Sequence, residues 1–157
     1  MKTLPKLHQR RFQLENYTHP DLFGRMLGYQ LKSTDLKKRA VVATLEIREE
    51  HLSPAGRVHG GVISALFDYA GGAAVFTTLG AKDFCSTVEL KVNYFRPVEL
   101  GDRLEAKTQV IFRGKRLSVV HGKLFKKGQK EPVAMMTGTF NIVSGEARHL
   151  SQKASKR

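Results

Sequence analysis

The run Val58-His59-Gly60-Gly61, followed by Asp68, holds the residue types that acyl transfer needs. Two consecutive glycines at a helix start let a ligand approach the backbone closely. The first N–H groups of a helix have no intrahelical acceptor. They are therefore donors for an anion or a developing oxyanion, assisted by the helix dipole. Gly60 and Gly61 alone also fit a blander reading, in which they only let the helix start pack tightly. Asp68 is the sharper signal. It stands among Leu66, Phe67 and Ala70, where a carboxylate is costly to bury without partners. Burial there is expected to raise its pKa and suit it to act as a base at neutral pH. The competing reading is a water-exposed rim position or a satisfied structural hydrogen bond. His59 either acts as a general base or orients the helix start by hydrogen bonding, and the second role is preferred.

Other chemistries find less support. His51 and His121 read as solvated or edge residues. No histidine and carboxylate have dependable metal spacing, so neither a metal nor another cofactor is expected. There is no G-x-S-x-G elbow and no P-loop. Cys85 is the one cysteine, which excludes an intrachain disulfide and fits a reducing, cytoplasmic compartment. It reads as an inert buried thiol rather than a nucleophile. Residues 1–11 carry charge without an apolar stretch, so no secretory signal is expected. The net charge of +13 favours anionic partners: nucleic acid, an acidic membrane surface or a phosphorylated small molecule. Part of that charge sits at the two ends. No helix-turn-helix, zinc-finger spacing or basic run interleaved with aromatics is present, so no nucleic-acid partner is expected.

These residues need a scaffold, and the pattern of the chain supplies one. Its 157 residues, 41% of them hydrophobic, fit one soluble domain over 1–157 with a core at about 25–144. Residues 1–20 read as an irregular or partly helical arm, and the chain beyond Ser144 as a frayed basic tail. Leu27 to Thr34 reads as a first strand and Asp35 to Lys38 as a turn. Val41, Ala43, Leu45 and Ile47 alternate with polar or small residues, as in a half-buried strand. Ser53-Pro54-Ala55-Gly56 is turn chemistry. From Val62 the apolar residues cover nearly every side of a helix, which must then be buried all round, with Gly80 as its C′ stop. Asp68, Gly71 and Gly72 interrupt this stretch, so it is a core helix and not a membrane span. Four long strand patterns follow, beginning near Val88, Leu104, Leu117 and Val133. Val88, Leu90, Val92 and Tyr94 alternate with Glu89, Lys91 and Asn93. The short gaps imply antiparallel hairpins. The expected fold is α+β, an antiparallel sheet curled around one long buried helix. A single sheet covers one side of that helix, which points to a partner subunit over the other.

Val58-His59-Gly60-Gly61, Asp68 nine positions beyond His59, and Thr87 to Pro97 with its Tyr94-x-x-Pro97 ending together resemble the hotdog-fold acyl-CoA thioesterases. The pattern is most similar to the phenylacetic-acid-degradation type, the branch of mammalian thioesterase superfamily member 2. The resemblance covers roughly residues 40–143. It implies a helix held in a curled antiparallel sheet, and homodimers or homotetramers in which two subunits pair sheet to sheet. It implies that Gly60 supplies the oxyanion N–H, that Asp68 is nucleophile or base, and that the Thr87 hydroxyl helps position water. Many members carry Asn where Ser53 stands here, which is a departure at a position that helps hold water or substrate. Coenzyme A carries several phosphate charges. Arg96 and the Arg113-Gly114-Lys115-Arg116 turn are its natural contacts, beside the reading of that turn as a solvated hairpin tip.

The leading expectation is therefore an acyl-CoA hydrolase acting on an acyl or aryl thioester. Other readings are a catalytically silent acyl-CoA sensor or scaffold, a dehydratase on the same fold and a basic nucleic-acid binder. Retained Asp68 and Thr87 weigh against the sensor. The dehydratase would want a histidine poised against an acid across the substrate.

Overall fold

The computed structural model describes residues 21–80 and 83–143. The arm expected over residues 1–20 and the tail expected beyond Ser144 lie outside the described residues. Helix α1 spans Leu22–Leu27, strand β1 Gln30–Asp35 and strand β2 Ala40–Glu46. Helix α2 spans Gly60–Phe76 and is followed by β3 Phe84–Tyr94, β4 Arg103–Arg113, β5 Leu117–Lys126 and β6 Pro132–Val143. One antiparallel six-stranded sheet runs in the order β1-β2-β4-β5-β6-β3. It curls around α2, which touches β2, β3, β4, β5 and β6. This is the α+β architecture expected from the sequence.

Three expectations are corrected. Leu27 ends a helix instead of opening a strand. The Asp21 carboxylate caps α1 by accepting from the Gly24 N–H at 2.7 Å, and Gly28, at φ 81°, closes it. These are ordinary cap signals, and they outweigh the apolar pattern that suggested a strand. Helix α2 stops at Phe76, not at Gly80. The hydroxyls of Thr77 and Thr78 donate to the carbonyls of Ala74 and Val75 at 2.6 and 2.7 Å, satisfying the last turn without a glycine. The gap between β3 and β4 is not a hairpin. β3 crosses to the far edge and pairs with β6, while β2 takes its place beside β4.

The helix is held by close approach and by one buried bond. A Cβ on Gly71 would lie 2.9 Å from the side-chain ends of both Met136 and Phe140, which would have to shift, so glycine lets α2 sit this near β6 with both in place. Thr108 of β4 is buried and its hydroxyl donates to the Ala70 carbonyl at 2.8 Å. Phe67, Leu66, Leu104, Leu124, Val120 and Phe140 fill the space between helix and sheet. Among the described residues nothing fully covers the opposite side of α2. Gly61 is exposed, and Ser64, Ala65, Asp68 and Gly72 are only partly buried. The helix apolar on nearly every side is thus buried on one side and open along a stripe.

His51 also departs from expectation. It is buried, at 1% exposure, where a solvated or edge position was expected. It closes the short 3-10 turn Glu49–His51, and its Nδ1 accepts the Arg48 N–H at 3.1 Å. Its carbonyl accepts the His59 N–H at 2.9 Å, so it also anchors the approach to α2. Burial, and secondarily the Arg48 charge, hold its pKa below the ordinary 6.5, opposed by Glu50 and the Leu27 carbonyl. The unfolded chain therefore takes up this proton first as pH falls. The contribution of neutral His51 is full above about pH 6.5 and is lost as pH falls from there toward its depressed folded pKa. The expected result is that Tm drops by a few degrees between pH 7.5 and 5.5, and that His51→Asn flattens that part of the profile. Thermal melts across this range, with both proteins in the same buffers, measure it; equal slopes would refute it.

Candidate active site

Asp68 and Thr87, which the resemblance places in one site, lie in direct contact. The Thr87 hydroxyl donates to Asp68 Oδ1 at 2.6 Å, joining the middle of α2 to the start of β3. No donor among the described residues reaches Oδ2 of Asp68. The carboxylate is half-buried on the open stripe, between the buried and the rim position that the sequence left open. Thr87 reaches it only because β3 is irregular. Thr87 pairs with Phe140 and Glu89 with Thr139, leaving Val88 as an extra residue. The bulge switches the side-chain alternation. Thr87 then shares the helix-facing side with Leu90, Val92 and Tyr94, while Val88 turns outward at 61% exposure.

The helix start is also specific. His59 is the N-cap, and its Nδ1 accepts the Gly61 N–H at 2.9 Å. A nitrogen that accepts this bond carries no proton, so the neutral ring holds its proton on Nε2. This is the orienting role for His59, not that of a base through Nδ1. The same bond occupies the Gly61 N–H, which is then not a free donor for substrate. A Cβ on Gly61 would press to 3.0 Å from His59 Nδ1. The Gly60 N–H has no acceptor among the described residues. Of the two glycine amides, Gly60's is the one unengaged among the described residues.

Two residues without a role in the sequence reading stand at this point. The Tyr94 hydroxyl donates to the Gly60 carbonyl at 3.1 Å and lies 2.6 Å from the Ser64 hydroxyl. Ser64 lies one helical turn beyond Gly60, a spacing visible in the sequence. Tyr94 falls on the helix-facing side of β3, where alternation had placed it.

The remaining candidates are placed as follows. Ser53 sits in the loop between His51 and His59, where its N–H donates to the Arg57 carbonyl at 2.7 Å and Leu52 bridges to Val58. Its hydroxyl is not brought to Asp68 or Gly60 by any hydrogen bond. The Arg96 guanidinium donates to the Pro132 carbonyl at 2.6 Å and faces Glu131 at 3.5 Å, which ties it to the β5–β6 turn. Arg113 donates through Nε to the Thr78 hydroxyl at 3.1 Å and through Nη1 to the Gly114 carbonyl. That places a cation beside the carbonyl end of α2, where the dipole favours it. Lys115 and Arg116 are exposed at the tip of the β4–β5 turn. His121 is half-buried within β5, between β4 and β6, and is not an edge residue. The half-buried Cys85 thiol contacts the Gly72 carbonyl at 3.8 Å, and burial, then the Asp68 charge, push its pKa up to about 11. That disfavours the thiolate and leaves Cys85 inert. Among the described residues no cluster of three His, Cys, Asp or Glu is placed to hold a metal. No described helix is long and apolar enough to cross a membrane.

Comparison with known proteins was made on this background. Residues 55–133 match the family model described as the thioesterase superfamily. The span contains Gly60, Asp68, Thr87 and Tyr94 and excludes Ser53. The chain is 26% identical over 120 residues to acyl-coenzyme A thioesterase 13 of Homo sapiens, covering 76% of this chain and 84% of that protein. Across curated relatives the matched stretches span from 60% to 85% of their lengths. Among solved structures, a mutant of the phenylacetic acid degradation protein PaaI of Thermus thermophilus is 28% identical, with a TM-score of 0.69. The match covers 77% of this chain and 98% of that one. A Streptococcus mutans protein bound to acetyl CoA is 26% identical, with a TM-score of 0.67, over 74% of this chain and 89% of that one.

Proposed function

Because this chain belongs to the thioesterase superfamily and is a thioester hydrolase with the hotdog fold, we propose that it hydrolyses an acyl- or aryl-CoA thioester to free acid and CoA. The observation that carries this reading is the Thr87-bound Asp68 carboxylate on the same open helix stripe as the unengaged Gly60 N–H. The thioester carbonyl oxygen binds at the Gly60 N–H. Asp68, oriented by Thr87, acts through its other oxygen. It takes a proton from water as the water oxygen attacks the carbonyl carbon, or it attacks directly and the resulting anhydride is then hydrolysed. In both routes the C–S bond breaks, and the CoA sulfur leaves as thiolate and is protonated. One oxyanion donor contributes about 2.7–4 kcal/mol to lowering such a barrier.

The site requires two chains in this reading. Asp68 lies eight residues beyond Gly60, about 12 Å along the helix axis, farther than an aspartate side chain reaches. Antiparallel pairing of two α2 helices along their open stripes brings Asp68 of one chain to Gly60 of the other. It also covers the half-buried stripe. A homodimer, or a dimer of dimers, is the assembly proposed, in a reducing cytoplasmic setting that suits the unpaired Cys85. The bound acetyl CoA of the Streptococcus mutans neighbour supports CoA thioesters as the substrate class.

Charge supplies the test of that class. Lys115 and Arg116 are the exposed cations of the basic turn, whereas Arg113 is committed to Thr78 and Gly114. In a thiol-release assay over acyl- and aryl-CoAs, the wild-type protein is expected to turn over at least one. Replacing Lys115 and Arg116 by Ala is expected to raise KM for it about 5- to 20-fold, the loss of one or two charge-assisted contacts. A short thioester of the same acyl group without the nucleotide is expected to change by less than about twofold. Equal effects on both substrates would remove the turn from the site. Specific CoA binding without turnover would support the sensor instead.

A further inference from the structure

The free Gly60 N–H belongs to the His59–Gly60 peptide, whose carbonyl accepts the Val62 N–H at 3.0 Å, and it is followed by two glycines, the least restrained residues of the chain. Side-chain contacts add to what the helix backbone supplies in holding them. The Tyr94 ring lies against Gly60, with its Cζ and hydroxyl each 3.5 Å from where a Cβ would stand. Its hydroxyl lies 3.1 Å from the Gly60 carbonyl and 2.6 Å from the Ser64 hydroxyl. Proton counting sets the direction of both bonds. A phenol has one proton, and a carbonyl only accepts. The Tyr94 proton therefore goes to Gly60, and the Ser64 proton goes to the Tyr94 oxygen. The Gly60 carbonyl and the Gly61 N–H belong to one peptide unit, and that N–H donates to His59 Nδ1. The result is a directed chain from Ser64 through Tyr94 and the Gly60–Gly61 peptide to His59. Bonds arranged head to tail polarise and reinforce one another.

We propose that Tyr94, oriented by Ser64, is a positioning residue that holds Gly60 so that its N–H points at the reacting carbonyl oxygen. This rests on the reading of Gly60 as the oxyanion donor. Tyr94 touches neither water nor thioester in this role. It acts through Gly60, and Ser64 acts only through Tyr94.

The test has one arm that depends on activity and one that does not. Tyr94→Phe keeps the ring against Gly60 and removes only the hydroxyl. Its kcat is expected to fall about tenfold with KM within about twofold, because a misaligned oxyanion donor costs the transition state more than the ground state. Ser64→Ala is expected to lower kcat about threefold. The double variant is expected to match Tyr94→Phe alone, since Ser64 has no route to Gly60 once the phenol is gone. A kcat for Tyr94→Phe within twofold of wild type, or a multiplicative loss in the double variant, would overturn the proposal. Amide hydrogen exchange at Gly61, whose N–H is bonded to His59 Nδ1, is the independent arm. Tyr94→Phe is expected to accelerate it about tenfold, and unchanged exchange would overturn the proposal even where no thioester is turned over. Accelerated exchange in a protein that hydrolyses no thioester would keep the Tyr94 pin and refute its link to catalysis.

Discussion

Asp68→Asn will lower turnover of the best acyl-CoA by about 10²- to 10⁴-fold, the range for removing a positioned base or its nucleophilic equivalent. Asparagine has nearly the same shape, and its amide oxygen can still accept from Thr87, so the fold has no reason to change. What disappears is the ionised oxygen that takes a proton or attacks carbon, and both routes need it. KM should move by less than about threefold, since the carboxylate acts at the transition state. Thr87→Val should fall between this variant and wild type, because it leaves the carboxylate in place and removes only the 2.6 Å bond that orients it. The measurement is thiol release under saturating substrate, with circular dichroism and Tm to verify folding. An Asp68→Asn protein that keeps more than a tenth of wild-type turnover would mean that another group performs the chemistry.

Mixing two inactive variants will restore about a quarter of wild-type activity. One parent carries Asp68→Asn. The other carries Gly60→Pro, which removes the donor N–H at the first helical position, where proline is tolerated and the preceding His59 is already extended. If each site takes Gly60 from one chain and Asp68 from the other, a mixed dimer has one site with both lesions and one with neither. Random reassortment makes about half the dimers mixed, each with one working site of two, hence the quarter. From parents reduced a hundredfold or more, this recovery is large. The physical basis is length. About 12 Å of helix separates Gly60 from Asp68, and the stripe containing both is open in the single chain. Subunit exchange should be verified independently, by mass or by a tag on one parent. Exchange without recovery would place a complete site in each chain.

Much of this arrangement was legible in the residues. The order of two strands, a long helix and four long strands follows from apolar periodicity alone, because half-buried strands and buried helices expose different repeats. The helix start followed from His59-Gly60-Gly61, and the placement of Asp68 near its middle followed from counting. The departures have definite causes. Helix α1 went unread although Asp21 and Gly28 are ordinary cap residues, because Leu27 and Leu31 also suit a strand. His51 is polar and lies in a polar stretch, and only the folding of α1 and its Arg48 contacts over it shows that it is buried.

By itself, the sequence determined the motifs that carry the family resemblance, the α+β architecture and the candidate helix-start donors and acid. Those depend on residue type, spacing and local periodicity, all of which are properties of one segment at a time. Tertiary structure decided which groups are free to react. The Gly61 N–H is taken and the Gly60 N–H is not, because of where the His59 ring lies. Thr87 faces Asp68 because Val88 is extruded when β3 pairs with β6, and the register of one strand against another is not written in either strand's alternation. Tyr94 reaches Gly60 for the same reason: β3 crosses to the sheet edge beside α2 instead of folding back on β4. Long-range pairing sets the Thr87 and Tyr94 contacts, and its outcome depends on the whole sheet closing around the helix at once.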